Sequence, residues 1–196
     1  MRNVPNILSV IRILLSPVFL IMFLSGDVFL QRVSLGVFFA AVLTDWYDGW
    51  HARKYDSITN FGIFMDPLAD KVLTSFAFYL FYLLGFMPLW MLIIIALRDI
   101  IVTLIRSYDE YKGITLKTSF IAKAKTFMQM SYIFLILFLL ILITSDIDTK
   151  LKEDIRFFIY ESNLNYFLML FVTLLTLYTG LDYIIRAQYY KRNETD

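Results

Sequence analysis

The sequence predicts an all-α integral membrane protein with six transmembrane helices. Of its 196 residues, 59% are hydrophobic and 18% are charged, whereas soluble domains carry about a quarter charged residues. The apolar residues form blocks that reach about 20 residues with their flanks, which is enough for an α-helix to cross a bilayer. Six crossings use most of the chain, so residues 1–196 are expected to form a single membrane domain. The blocks are Ile13–Leu24, Val33–Val42, Val72–Leu84, Leu89–Leu97, Tyr132–Ile143 and Tyr166–Leu177.

The first two helices are expected to be joined by a short external turn. The run Ile7–Leu24 follows a basic residue, as the apolar core of a secretory signal peptide does. Arg12 and Pro17 interrupt this run and no small-residue cleavage site follows it, so we interpret it as a retained helix. Ser25-Gly26-Asp27 predicts the turn, and the second helix is expected from about Gln31 to His51.

Four further helices are separated by polar segments. The third helix follows a cytoplasmic loop, Lys54–Thr59. The fourth follows an external turn, Gly85–Pro88, and its proline is tolerated at the start of a helix. A polar cytoplasmic loop, Tyr108–Thr118, precedes the fifth helix. The longest external segment, Ser145–Asn163, has apolar residues at helical spacing, which predicts a short amphipathic helix at the membrane interface. The sixth helix is expected to end near Arg186.

The basic residues predict the orientation of the chain. With the N-terminus in the cytoplasm, most Lys and Arg residues fall in cytoplasmic segments, as the positive-inside rule requires. The exceptions are Arg32, Lys150, Lys152 and Arg156. Both termini are therefore expected in the cytoplasm. The sequence contains no cysteine, which excludes disulfides and thiol chemistry.

Four aspartates occur at the predicted cytoplasmic ends of helices two and three. Asp45 and Asp48 are spaced i,i+3, and Gly62, Asp66 and Asp70 are spaced i,i+4,i+8, so each set shares one helix face. Two antiparallel helices joined by a short loop are neighbours, which would direct the four carboxylates into one cavity. Carboxylates at such short distances repel each other unless their charge is neutralised. Because hard oxygen ligands suit Mg²⁺ or Mn²⁺, the pattern predicts a metal site that binds a phosphate-bearing substrate.

Small residues follow the same register. Gly49, Ala52 and Gly62 would leave space for a substrate to approach the backbone, and the guanidinium of Arg53 suits a phosphate. A purely structural interpretation of Asp66 is also open, since it could cap a helix that begins at Pro67.

Two other functions compete with a phosphate-processing enzyme. A divalent-cation transporter would use carboxylates as its ion site, but such sites usually lie near the midplane on broken helices, often with internal repeats. No repeat is visible here. A membrane prenyltransferase would carry two aspartate-rich segments far apart, whereas these aspartates all lie between Asp45 and Asp70.

The pattern DxxDGxxAR…GxxxDxxxD, from Asp45 to Asp70, resembles the signature of the CDP-alcohol phosphatidyltransferases at every fixed position. The resemblance implies a six-helix membrane fold, usually homodimeric, with two Mg²⁺ or Mn²⁺ ions in a cytoplasmic-facing active-site cavity. It implies that Asp45, Asp48 and Asp66 bind the metals and that Asp70 is the general base and also contacts a metal. The residues that it implies for CDP-diacylglycerol binding are Asn6, Ser9, Gly49, Ala52, Arg53, Thr59 and Gly62.

Three further segments resemble bacterial phosphatidylglycerophosphate synthases of this family. They are NVPNILSVIR (Asn3–Arg12), LRDIIVTLIR (Leu97–Arg106) and AKAKTFMQM (Ala122–Met130), where Ala122 replaces the usual glycine. The resemblance implies phosphatidyl transfer from CDP-diacylglycerol to glycerol 3-phosphate, with release of CMP, in the bacterial cytoplasmic membrane. Other acceptors remain open, namely phosphatidylglycerol, as in a cardiolipin synthase, or an inositol phosphate. Membrane lipids are expected partners and nucleic acid is not.

The basic residues near the ends of helices four and five also favour an anionic acceptor. Charged groups within membrane segments usually face a cavity and mark a substrate path. A phosphate would be held by such a cluster, whereas choline or ethanolamine would be repelled. The alternative is that these residues are ordinary cytoplasmic flanks. The candidate acceptor-phosphate ligands are Arg98, Arg106, Lys123 and Lys125.

Overall fold

The computed structural model describes the backbone of residues 4–55, 60–113 and 119–195, and the side chains of residues 7–44, 62–113 and 119–189. These ranges contain helices and no strand, which confirms the all-α fold class. A π-helical turn, Phe157–Glu161, separates the last two α-helices. The α-helices are α1 (Val4–Leu24), α2 (Val28–Tyr55), α3 (Asn60–Leu83), α4 (Leu89–Tyr111), α5 (Phe120–Thr144), α6 (Thr149–Arg156) and α7 (Asn163–Thr195).

The turns that separate the helices lie close to where the sequence places them. Asp27 accepts hydrogen bonds from the backbone N–H groups of Phe29, at 2.7 Å, and Leu30, at 3.0 Å. This cap starts α2 three residues before the predicted Gln31. Gly85 has a φ of 86°, a conformation that glycine adopts without steric cost.

Three helix ends differ from the sequence-based expectation. The helix α2 continues past the predicted His51 to Tyr55. The helix α4 continues to Tyr111, which lies inside the predicted loop, and Gly113 follows it with a φ of 80°. The last helix continues past Arg186 to Thr195. Its C-terminal segment is rich in charged residues, and Lys, Arg and Glu are good helix formers, so polarity alone does not end a helix.

Proline lies inside two of the helices. Pro17 is in α1 and Pro67 is in α3. Because α3 already begins at Asn60, the interpretation of Asp66 as an N-cap is wrong. Asp66 and Asp70 instead lie one turn apart within a continuous helix, so they share one face.

The helices pack into one bundle. The first helix packs against α2 and α3, α3 packs against α4, and α4 packs against α7. Fully buried aromatic side chains fill the centre, with the ring centroids of Phe19 and Phe38 5.1 Å apart and those of Phe78 and Phe81 5.8 Å apart. Aromatic pairs at such separations stabilise a core beyond the area that they bury.

Within the part of the chain that the structure describes, three helical segments are long and apolar enough to cross a membrane, namely Ile7–Leu24, Phe120–Thr144 and Asn163–Tyr189. The apolar part of α2, Val28–Thr44, is shorter. Both α3 and α4 carry several charged residues, which lowers their mean hydropathy.

The segment between α5 and α7 is helical, as its apolar spacing predicts. Ile155 and Ile159 are buried. The side chain of Asn165 donates a 2.7 Å hydrogen bond to the carbonyl of Ile159 and accepts a 2.9 Å bond from the hydroxyl of Tyr132 on α5. These bonds attach the segment to the end of the bundle.

Candidate active site

One face of α3 carries Gly62, Asp66 and Asp70. Gly62 is buried, and both aspartates are partly buried. The hydroxyl of Ser9 on α1 donates a hydrogen bond to Oδ1 of Asp66. Ser9 is itself fully buried, so the structure places this residue, which the resemblance associates with CDP-diacylglycerol, directly against a predicted metal ligand.

A second polar contact joins α1 to α2. Arg12 is fully buried within the apolar helix α1, and its Nε donates a 3.2 Å hydrogen bond to the carbonyl of Ala41. The hydroxyl of Ser16 donates to the carbonyl of Arg12 at 2.9 Å. Since Ala41 lies one turn before Asp45, Arg12 attaches α1 to α2 just ahead of the aspartate motif.

The other motif residues lie at the edge of, or beyond, what the structure describes. The helix α2 passes through the first half of the motif, and α2 contacts α3, as the short loop predicts. The side chains of residues 45–61 and of residues 1–6 are outside the described residues. This applies to the predicted site residues Asn6, Asp45, Asp48, Gly49, Ala52, Arg53 and Thr59.

Asp70 has a close cationic neighbour. The Nζ atom of Lys71 lies 2.7 Å from Oδ2 of Asp70, and the two side chains are 15% and 26% exposed. Sequence reasoning did not assign Lys71 to the site, although its position directly after the last motif aspartate was a usable signal.

A buried ionic cluster lies between α4 and α5, with Asp99 at its centre. Oδ1 of Asp99 lies 2.6 Å from Nζ of Lys125 and 2.9 Å from Nη1 of Arg98, and Oδ2 accepts a 3.1 Å bond from Nε2 of Gln129. Asp99 and Lys125 are each 1% exposed. Lys125, a predicted phosphate ligand, therefore forms an ion pair with a buried carboxylate.

A cavity of about 140 Å³ opens between α3, α4, α5 and α7. Among the described residues, four cationic side chains and one carboxylate line it, together with hydroxyl groups and small apolar residues. Arg98 and Arg106 are among them, as the sequence predicts, whereas Lys125 is not and Lys123 is exposed elsewhere on α5. The lining residues are Lys71, Arg98, Val102, Thr103, Arg106, Ser119, Ala122, Thr126, Thr179, Asp182, Tyr183 and Arg186.

The last helix contributes one wall of this cavity, which sequence reasoning missed. Nε of Arg186 lies 2.9 Å from Oδ1 of Asp182, and Oγ1 of Thr179 accepts a 2.8 Å bond from Nη2 of Arg98. Arg186 resembles a cytoplasmic flank in the sequence, and the i,i+4 spacing to Asp182 was the available signal. Among the described residues, the buried hydroxyl of Tyr183 and Nε of Arg98 have no hydrogen-bond partner, which is uncommon for buried polar atoms.

Comparisons with known proteins agree on one family. A model of the CDP-alcohol phosphatidyltransferase family matches residues 2–178. The chain is 37% identical over 141 residues to the CDP-diacylglycerol–glycerol-3-phosphate 3-phosphatidyltransferase of Bacillus subtilis, covering 66% of this chain and 73% of that protein. It is 36% identical over 133 residues to the protein of the same name from Salmonella typhimurium, covering 65% and 72%. A probable phosphatidylglycerophosphate synthase of Mycobacterium tuberculosis is 36% identical over 130 residues, covering 65% and 62%.

Proposed function

Because the chain belongs to the CDP-alcohol phosphatidyltransferase family, we propose that it transfers the phosphatidyl group of CDP-diacylglycerol to glycerol 3-phosphate, forming phosphatidylglycerophosphate and CMP. The relatives from Bacillus and Salmonella are named for this reaction. The observation that carries the proposal is the position of Lys71, which pairs with Asp70 at 2.7 Å and also lines the basic cavity. An acceptor held in the cavity by its phosphate would therefore lie beside the predicted general base.

The charge of the cavity suits the phosphate of the acceptor. Lys71, Arg98, Arg106 and Arg186 line it, and Asp182 is the one carboxylate among those lining residues that the structure describes. Arginine presents several N–H donors in a plane that matches phosphate geometry. A cationic acceptor such as choline would be repelled by the same set.

The metal site is proposed at the aspartate motif, with Asp45, Asp48, Asp66 and Asp70 holding two Mg²⁺ or Mn²⁺ ions. The described part of this set fits such ions, since two carboxylates with hard oxygen donors share one face of α3. Ser9 donates a hydrogen bond to Asp66, and outer hydrogen bonds of this kind commonly orient metal ligands. Bound ions would neutralise the diphosphate and stabilise the departing CMP.

The donor lipid is proposed to bind along the small residues of the motif. Gly62 is buried one turn before Asp66 on the same face of α3, and a glycine at this position would let a ligand approach the backbone closely. The remaining donor contacts proposed from the family pattern are Asn6, Ser9, Gly49, Ala52, Arg53 and Thr59.

In the proposed reaction, Asp70 accepts the proton of the attacking hydroxyl group. The acceptor oxygen bonds to the phosphorus that carries diacylglycerol, and the bond from that phosphorus to the CMP oxygen breaks. The chain has no cysteine, and the motif contains no evident covalent nucleophile. Transfer is therefore direct, within a complex that holds both substrates.

We further propose that α1 to α5 and α7 all cross the bacterial cytoplasmic membrane, with both termini and the cavity on the cytoplasmic side, in a homodimer. The burial of charged side chains supports a membrane crossing by α4 as well as by the apolar helices. Arg12, Asp99 and Lys125 all lie inside the protein, where charged groups in membrane segments are tolerated. The dimer rests on the family pattern alone.

An acceptor screen tests the reaction. The purified protein, in lipid–detergent micelles with Mg²⁺ or Mn²⁺, is given labelled CDP-diacylglycerol and one acceptor at a time: glycerol 3-phosphate, an inositol phosphate or phosphatidylglycerol. We expect release of CMP and a labelled lipid product with glycerol 3-phosphate. A product with only another acceptor would reassign the substrate, and no CMP release with any acceptor would favour the transporter alternative.

A further inference from the structure

Gly180 is a glycine in the interior of α7 whose place is explained by a side chain on another helix. A Cβ atom added to Gly180 would lie 2.7 Å from Cγ of Arg98, 3.0 Å from its Nε and 3.4 Å from its Cδ. Gly180 lies within the continuous helix α7 and is not among the glycines with positive φ, so its backbone conformation does not require glycine. Glycine destabilises a helix interior relative to alanine. The space that it leaves for Arg98 is therefore the structural reason for a glycine at position 180.

Arg98 uses this space to lie across α7 in a fixed orientation. Its Nη1 donates to Asp99 at 2.9 Å, and its Nη2 donates to Thr179 at 2.8 Å. Both ends of the guanidinium are thus held, one by α4 and the other by α7. Nε of Arg98 is buried, but each Nη atom carries two N–H donors. One donor on each Nη therefore remains for a ligand of the cavity that Arg98 lines.

The cluster around Arg98 also retains a positive charge. Asp99 is shared between Arg98 and Lys125, so one carboxylate faces two cations. The excess positive charge is available to an anion in the cavity. The position of Arg98 determines where in the cavity this charge lies.

We propose that Gly180 is a positioning residue for acceptor binding, which seats Arg98 against α7 so that its guanidinium binds the phosphate of the acceptor. This inference rests on the proposed function of the cavity. The middle of the Arg98 side chain would collide with a methyl group at position 180, and because both ends of the guanidinium are held, Arg98 cannot yield without losing its bond to Thr179 or to Asp99.

The test is a double-mutant cycle on purified protein, with KM and kcat measured for each substrate. We expect Gly180→Ala to raise KM for glycerol 3-phosphate about tenfold, the scale of a lost charge-assisted hydrogen bond. KM for CDP-diacylglycerol should stay within about twofold, because remote binding contacts appear in the KM of the substrate that uses them. In an Arg98→Ala background, Gly180→Ala should add no further increase, since the group that it displaces is gone.

The matched control is Gly36→Ala. Gly36 is also inside a helix, and a Cβ added there meets nothing within 4 Å, so this variant reports the general effect of replacing a helical glycine. Thr179→Val removes the acceptor for Nη2, together with the bonds that the hydroxyl donates to the carbonyls of Leu175 and Thr176 within its own helix. It should reproduce the KM change of Gly180→Ala.

The outcomes separate this inference from the proposed function. If Arg98→Ala leaves KM for glycerol 3-phosphate unchanged, the acceptor assignment of the cavity fails. If Arg98→Ala raises that KM but Gly180→Ala and Thr179→Val do not, the positioning role fails and the proposed function stands. If Gly180→Ala does not fold, recovery of folded protein in the Gly180→Ala, Arg98→Ala double variant supports the steric contact, and loss in both variants overturns it.

Discussion

The Nζ atom of Lys125 lies 2.6 Å from Oδ1 of Asp99, and both side chains are 1% exposed. This pair joins α5 to α4 inside the bundle. A lysine in this setting neutralises a buried carboxylate, and the AKAK pattern around it in the sequence does not reveal that partner.

Lys125→Met is expected to destabilise the protein more than it changes substrate binding. The substitution leaves Asp99 buried with one cation fewer, and breaking a buried pair typically costs about 3–5 kcal/mol. Thermal unfolding in detergent measures the effect. Lys150→Met, at an exposed lysine in the first turn of α6, is the control and should lie within about 0.5 kcal/mol of the parent. Equal melting temperatures for both variants would contradict the structural role of Lys125.

Arg106→Ala is expected to raise KM for glycerol 3-phosphate by about 10-fold or more, the scale of a lost bond to a charged group. KM for CDP-diacylglycerol should change little. Steady-state kinetics with each substrate varied in turn gives both values, and Arg156→Ala, at an exposed arginine of α6, is the control.

Lys123→Ala, measured in the same way, separates two expectations. The sequence pattern predicts a change as large as that of Arg106→Ala, whereas the exposed position of Lys123, outside the cavity lining, predicts a smaller one. Equal effects of Arg106→Ala on both substrates would favour a scaffolding role for the cavity arginines.

Asp70→Asn is expected to lower kcat by about 10²-fold or more, the usual scale of a general base. The fold and the binding of CDP-diacylglycerol should persist, because asparagine keeps the size of the side chain. Turnover assays and a binding assay with the labelled donor lipid distinguish these effects. A nearly normal kcat would rule out Asp70 as the general base. Ping-pong kinetics with a trapped lipid–protein adduct would rule out the proposed direct transfer.

Ser9→Ala is expected to raise the Mg²⁺ or Mn²⁺ concentration needed for half-maximal activity by about tenfold, because outer hydrogen bonds to metal ligands commonly contribute at that scale. Direct metal binding, measured by calorimetry without substrates, should weaken in parallel, and Asp66→Asn should weaken it further. If Ser9→Ala instead raises only KM for CDP-diacylglycerol, Ser9 contacts the donor lipid and its bond to Asp66 has no role in metal binding.

The absence of cysteine makes the proposed membrane topology directly testable. Single substitutions Lys112→Cys, after α4, and Glu153→Cys, in α6, place one thiol at each proposed side of the membrane, at exposed positions. In intact cells, a membrane-impermeant maleimide should label only the cysteine at position 153. In inverted membrane vesicles it should label only the cysteine at position 112. If both cysteines are labelled from the same side, the chain between positions 112 and 153 does not cross the membrane an odd number of times, and the proposed topology is wrong.

Three features could be predicted from the sequence alone, namely the helical fold class, most helix starts and the shared face of Asp66 and Asp70. These features depend on local chemistry, namely apolar run length, glycine and proline at the turns, and spacing within a single helix. The sequence did not reveal that Asp99 pairs with Lys125, that Lys71 and Arg186 join Arg98 and Arg106 around one cavity, or that Gly180 makes room for Arg98. Those relations join helices that are distant in the chain, and they arise only when packing brings α3, α4, α5 and α7 together. A buried lysine and a cavity-lining lysine look alike in the sequence, because the partner that distinguishes them is supplied by another helix.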